Sequence, residues 1–305
     1  MKTTTALASS AAAAAILFCS QLAAAETAEV RATTGVSFAA DESGGSVRSK
    51  SQSWMVAPHG TYVIGSKLRL LKSDETPFGD AAKATDLALF DLTARGSFGD
   101  RLELGIGLSV LTKEMTGMSE PTFQGGSGTL RVGLSKWAAI DFATSARPLL
   151  AELGWMVNPS ASLAMRANVD RHLRFAGGAG VSWTNLFLDD ADRNSFAELG
   201  VAGQIIFPVQ NHFAAWAGAD YHVPITDPAG SMNLDPQPRL GVHGGFAFTF
   251  VPEWNLYAEY SIIDRGSLDD PATTIPVIDG GFDQTQIIVG VSRRFHDTDR
   301  DRLRD

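Results

Sequence analysis

From about Gly60 onward, apolar and polar residues alternate with a period of two along most of the chain. This period belongs to strands that present one apolar and one polar face. After Asp100, Leu102, Leu104, Ile106, Leu108 and Val110 share one face, and Arg101, Glu103, Gly105, Gly107 and Ser109 the other. After His212, Phe213, Ala215, Ala217, Ala219, Tyr221 and Val223 stand opposite Ala214, Trp216, Gly218, Asp220 and His222. A third run sets Leu240, Val242, Gly244, Phe246, Phe248 and Phe250 against Arg239, Gly241, His243, Gly245, Ala247 and Thr249.

Extended to the whole chain, the pattern predicts about twelve strands. They fall near 61–71, 85–98, 101–112, 127–135, 138–145, 160–168, 172–184, 195–208, 212–224, 238–251, 255–264 and 284–295. Tight turns are expected at Gly99-Asp100, Lys136-Trp137, Val169-Asp170-Arg171, Val209-Gln210-Asn211 and Pro252-Glu253-Trp254. Long connections are expected at 72–84, 113–126, 146–159, 185–194, 225–237 and 265–283, so that short and long alternate strictly. Short turns at one end and long loops at the other are the plan of a membrane barrel, which also favours an even strand count. The expected fold is therefore all-β: a single antiparallel up-and-down transmembrane barrel over residues 60–295, with both ends on the short-turn side. Beyond the N-terminus no segment approaches 18 consecutive apolar residues, so a membrane location requires a closed barrel. The segment from Leu149 to Val157 also alternates. It either lengthens a strand or forms an extra hairpin, which would change the count to ten or fourteen.

The first 25 residues have the organisation of a secretory signal. Lys2 gives the charged start, Ala11 to Phe18 the apolar stretch, and Ala23-Ala24-Ala25 the small residues of a cleavage site. The apolar run is too short for a spanning helix. The single cysteine, Cys19, lies inside this segment, so the chain after Ala25 has neither disulfide nor thiolate chemistry. Phe18 in front of it argues against a lipid-modified cysteine. Residues 26–59, rich in Ser, Thr, Gly, Ala and charge, read as a flexible periplasmic lead-in, and 296–305 as a charged periplasmic tail.

The last predicted strand ends Ile287, Ile288, Val289, Gly290, Val291, Ser292, Arg293, Arg294, Phe295. Its apolar alternation up to a final aromatic resembles the C-terminal signature of Gram-negative outer-membrane β-barrel proteins as a class, with Arg293 in the place of an apolar residue. The resemblance implies an outer-membrane location, contact with outer-membrane lipid and lipopolysaccharide, and recognition of the strand ending at Phe295 by the barrel-assembly machinery. Aromatics on the apolar faces, such as Phe207, Tyr221, Phe250 and Tyr260, fit interfacial girdles.

In such a barrel the chemistry sits on the inward face. The alternation places Lys67, Arg69, Asp91, Arg95, Arg101, Glu103, Arg131, Glu198, Asp220, His222, Arg239, His243 and Glu259 there, together with Asp141, Arg166, Arg174 and Arg294. Mixed charge on a lumen face serves either a rigid, ion-paired interior or a selective passage. With about twelve strands, a narrow passive channel for small polar solutes is the leading expectation. A non-conducting structural or adhesive barrel displaying acidic external loops is the alternative. The net charge of −9 and the absence of a basic patch exclude a nucleic-acid partner. The loop acids, among them Asp74, Glu75, Asp80, Glu114, Glu120, Asp189, Asp190, Asp192, Asp227, Asp235, Asp269, Asp270 and Asp279, are solvated groups or binders of divalent cations at the lipopolysaccharide surface. Asp297, Asp299, Asp301 and Asp305 resemble the start of a calcium loop, but Arg302 stands where the loop glycine belongs. The six histidines form no nucleophile or zinc motif, so no enzyme, cofactor or resident metal is expected. The one enzymatic alternative is a lipid hydrolase using the inward pair His222 and His243.

Overall fold

A computed structural model describes residues 56–57, 59–73, 87–99, 101–114, 122–148, 154–169, 173–188, 194–209, 213–226, 238–251, 253–265 and 284–296. It consists of twelve strands: β1 (Thr61–Ser73), β2 (Leu87–Phe98), β3 (Leu102–Glu114), β4 (Thr122–Gly133), β5 (Ala138–Pro148), β6 (Gly154–Asn168), β7 (Arg174–Leu188), β8 (Asn194–Val209), β9 (Phe213–Pro224), β10 (Arg239–Val251), β11 (Trp254–Arg265) and β12 (Gln284–His296). Each strand pairs antiparallel with its neighbours in sequence, and β12 pairs with β1 from Thr61↔His296 to Ser73↔Gln284, so the sheet closes on itself. Closure leaves no edge strand and satisfies the backbone wherever strands meet, as a lipid environment demands. Following the Cα pairings once around returns to β1 about 14 residues along, which gives a tilt of about 40° and a backbone radius of about 11 Å.

The outward face is apolar. Leu104, Ile106 and Leu108 on β3, Leu199, Val201, Ile205 and Phe207 on β8, and Phe246, Phe248 and Phe250 on β10 are all exposed, Ile106 to 68%. A sheet surface of this composition is unfavourable in water and matches hydrocarbon. At the short-turn end this face carries aromatic and basic groups. Tyr62 meets Phe98 edge-on at 6.5 Å, Phe250 lies 6.1 Å from Trp254, and Arg293 sits over Trp254 and Phe295. Lys136 covers Trp137 at 4.7 Å. Amphipathic rings and long basic side chains of this kind suit the membrane–water boundary.

Two strands begin earlier than the alternation predicts. β4 starts at Thr122 rather than 127 because Gly125, at φ 128°, lies where the pairing with β3 slips between Ser109 and Val110. The slip reverses which parity faces outward, and so the period of two breaks there. β6 starts at Gly154 rather than 160 and takes up Trp155 and Val157 as outward residues, so the segment around 146–159 lengthens a strand and adds no hairpin. Pro159 lacks an N–H, and the pairing of β6 with β7 skips Asn158 and Pro159.

The strict alternation of short and long connections is not kept. The turns at one end occupy 99–101, 134–137, 169–173, 210–212 and 252–253. At the other end, 149–153 and 189–193 are as brief as 169–173, because the neighbouring strands extend past the expected bounds. The longest connections, 74–86, 225–238 and 266–283, do share that end. The signal-like segment with Cys19, the aspartates of the tail and all the loop acids except Glu114, which ends β3, lie outside the described residues. Of the lead-in, Val56 is buried, Ala57 donates its N–H to Glu103 Oε2 at 3.4 Å, and His59 Nδ1 accepts the Gly99 N–H at 2.7 Å.

Candidate functional site

The inner face is built by the parity of each strand. On β1, Lys67 and Arg69 point inward, and Asp91 on β2 is the Cα partner of Lys67. Asp91 bonds Arg69 Nε at 2.6 Å and lies 3.8 Å from Lys67 Nζ, so one carboxylate faces two cations. The Ser109 hydroxyl of β3 also donates to it. Nearer the short-turn end, Glu103 pairs with Arg95 at 3.1 Å and accepts the Ser97 hydroxyl at 3.4 Å. Arg131 on β4 grips Asp141 on β5 through two parallel bonds of 2.7 and 2.9 Å, a fork geometry that only arginine offers. Arg101 is different: it lies in the turn before β3 and is exposed, outside the barrel wall.

A second cluster spans β8 to β11. Glu198 and His222 are each 2% exposed, and Arg239, the Cα partner of His222, is equally enclosed. Asp220 stands between two histidines, 3.3 Å from His222 Nε2 and 3.9 Å from His243 Nδ1. Below them Trp216 donates its indole N–H to Glu259 at 3.0 Å. Large inward side chains find room because a glycine stands opposite each on the next strand. Trp216 lies across Gly245, where a methyl group would come within 2.6 Å of the indole, and Tyr257 lies across Gly290. In the same way the His243 ring leans over Gly218 on β9. Its Nε2 is thus directed toward β9, while Ser261 is its Cα partner on β11. Among the described residues, no group of three or more His, Cys, Asp or Glu is placed to hold a metal ion.

The two halves of the wall differ in bulk. From β8 round to β2, the interior is filled by Ile206, Trp216, Tyr257 and Ile288 and by the ionic clusters, all nearly inaccessible. From β3 to β7 the inward residues are mostly small: Ser109, Ser127, Thr129, Ala143, Ser160 and Gly178 among them, each partly exposed. Arg131 and Asp141 in this half keep 17% of their side-chain surface accessible, roughly twice that of the Asp91 cluster. The small side chains in the middle of the β3–β7 wall thus keep some access, whereas Met156, Asn158, Leu186 and Arg147 are buried toward the loop end of the same half.

Two features escaped the sequence pattern. Arg147, inward and 7% exposed, belongs to β5 and not to the expected connection at 146–159, because the strand continues to Pro148. Trp216 and Tyr257 fill one side of the barrel. Trp216 shares the parity of Asp220 and His222 on β9, which was the available signal.

No family model and no curated protein matches the sequence. Among solved structures, it is similar to the NanC porin at 10% identity, with a TM-score of 0.49 and coverage of 75% of this chain and 98% of that one. The KdgM porin matches at 13% identity and a TM-score of 0.47, covering 77% and 99%. An outer membrane channel from Pseudomonas putida F1 matches at 11% and 0.48, covering 81% and 98%. At these identities and TM-scores nothing those proteins conduct or bind carries over to this chain.

Proposed function

We propose that the protein is an outer-membrane barrel that forms a narrow passive channel for small polar solutes. The observation that carries this reading is the inequality of the inner wall. One half is packed with buried side chains, while the middle of the β3–β7 half presents small, partly accessible residues such as Ser127, Thr129 and Ser160. Such a wall offers solutes hydrogen-bonding groups in place of lost water. It excludes a wide pore at the level of the ionic clusters. The inward acids and bases serve as a stiffening framework on the filled side, and the outward apolar band faces lipid. In this reading residues 1–25 direct export, and the strand ending at Phe295 is what the assembly machinery engages.

A non-conducting barrel is the second reading, favoured by the near-complete burial of Lys67, Glu198, His222 and Arg239. Planar-bilayer recording separates the two. The refolded protein, its fold verified by heat-modifiable gel mobility, is expected to give small, discrete current steps. A folded barrel that passes no current above the blank membrane removes the channel reading and leaves the structural one.

A further inference from the structure

The chain as a whole is acidic, with a net charge of −9. The open wall is not. Between β4 and β7 the inward charges are Arg147, Arg131, Arg166 and Arg174, against the single carboxylate of Asp141. Their order along the wall follows from the register. Arg147 is one residue from the loop end of β5. Arg131 meets Asp141 at mid-wall, and Asp141 is the partner of Ser162. Arg166 and Arg174 lie at the short-turn mouth, the first donating Nε–H to the Lys136 carbonyl at 2.8 Å. At about 3.3 Å per residue, the strand length from Arg147 to Asp141 is roughly 20 Å, and from Ser162 to Arg166 roughly 13 Å. At the tilt of about 40° this run rises about 25 Å along the barrel axis, so arginines mark both ends and the middle of a span as tall as the apolar band of such barrels.

The other strands do not cancel this charge. β1 to β3 place Lys67, Arg69 and Arg95 against Asp91 and Glu103, and β12 adds Arg294. Among the residues with described side chains, acids exceed bases only on β8 to β11, where Glu198, Asp220 and Glu259 face Arg239; Arg265, its Cα partner, ends β11. All three carboxylates are nearly inaccessible; Glu259 accepts the Trp216 indole N–H, and Asp220 stands between two histidines. Arg131, Arg166 and Arg174 are more accessible than these carboxylates, so an ion in the passage travels along the basic wall, and Arg147, 7% exposed, acts on it through its field. In a narrow, low-dielectric conduit such fixed charge is focused onto the permeating species.

Building on the channel reading, we propose that the passage is selective for small anions, with Arg147, Arg131, Arg166 and Arg174 as its charge track. The sign is opposite to that suggested by the chain's acidity, which the sequence concentrates in the connecting segments.

The test is the reversal potential of the folded wild-type channel between 1 M and 0.1 M KCl, read as the chloride-to-potassium permeability ratio. In 1 M salt the Debye length is about 3 Å, so charge in the connections on that side is screened. The expected ratio is above one. Combining Arg147→Gln with Arg174→Gln is expected to lower it by about tenfold, whereas Arg293→Gln, on the outward face, leaves it unchanged. If the double variant does not fold, Arg174→Gln alone at the mouth gives the same comparison with a smaller drop. A channel that conducts but prefers potassium overturns this inference alone, as does a ratio that neither inward substitution moves. A folded barrel without current overturns both this inference and the channel reading beneath it.

Discussion

Replacing Asp91 with alanine is expected to destabilise the folded barrel by about 3–5 kcal/mol, the cost of removing one partner from a buried ion cluster. Lys67 and Arg69 are both buried on β1, and both lie against this carboxylate, at 3.8 and 2.6 Å. Without it, two neighbouring cations lose their shared counter-charge in the interior of the barrel. They must draw in water or an anion, or move apart against the packing around them. The size of the effect comes from the charges left behind and not from the worth of the original pairs, since a buried ion pair compared with a packed apolar substitute is often neutral. Asp91→Asn should therefore cost less, because an amide oxygen still accepts from Arg69. Joining Asp91→Ala to Lys67→Met should recover part of the loss. Urea titration of the refolded barrel in detergent or vesicles gives these differences. Equal midpoints for the alanine variant and the wild type would show that the cluster is solvated.

The second large effect concerns the outer face. Val201 lies near the middle of β8, outward and 47% exposed. Arginine at that position is expected to cost about 2–4 kcal/mol if the face lies against hydrocarbon at mid-depth. The same change at Val209, the last residue of β8, should cost about 0–1 kcal/mol, because the boundary is within reach of a long side chain. In water both substitutions would be close to neutral, since both sites are exposed. The depth dependence, measured by unfolding from phospholipid vesicles, distinguishes a lipid-facing wall from a solvent-facing one.

The twelve strands could be read from the sequence because outward residues such as Leu104, Ile106 and Leu108 repeat with the pleat. The reading failed locally where backbone irregularity breaks parity. Gly125 shifts the register of β4, and Pro159 interrupts the ladder of β6. Parity also assigned a face to Lys67, Asp91, His222 and Arg239, since a residue's face follows from its neighbours two positions away. Which charges meet was not readable. The contact of Asp91 with both Lys67 and Arg69 depends on the β1–β2 register, and that of Trp216 with Glu259 spans two strand interfaces, across Gly245. The division of the interior into a filled and an open half has the same origin. It needs Trp216 and Tyr257 to lie across glycines that are far away in sequence.

The claim at the centre of this account is that water reaches the β3–β7 wall inside a barrel whose outer face is in lipid. Cys19 is the chain's single cysteine, so a protein beginning at Glu26 offers a cysteine-free background. Cysteines placed singly at Ser127, Ser160, Val201 and Ser261, in protein refolded into vesicles, can be challenged with a charged, membrane-impermeant thiol reagent. Ser127→Cys and Ser160→Cys are expected to react, while Val201→Cys on the lipid face and Ser261→Cys on the filled side stay protected. Rapid reaction at Val201→Cys, or protection at both Ser127→Cys and Ser160→Cys, would contradict it.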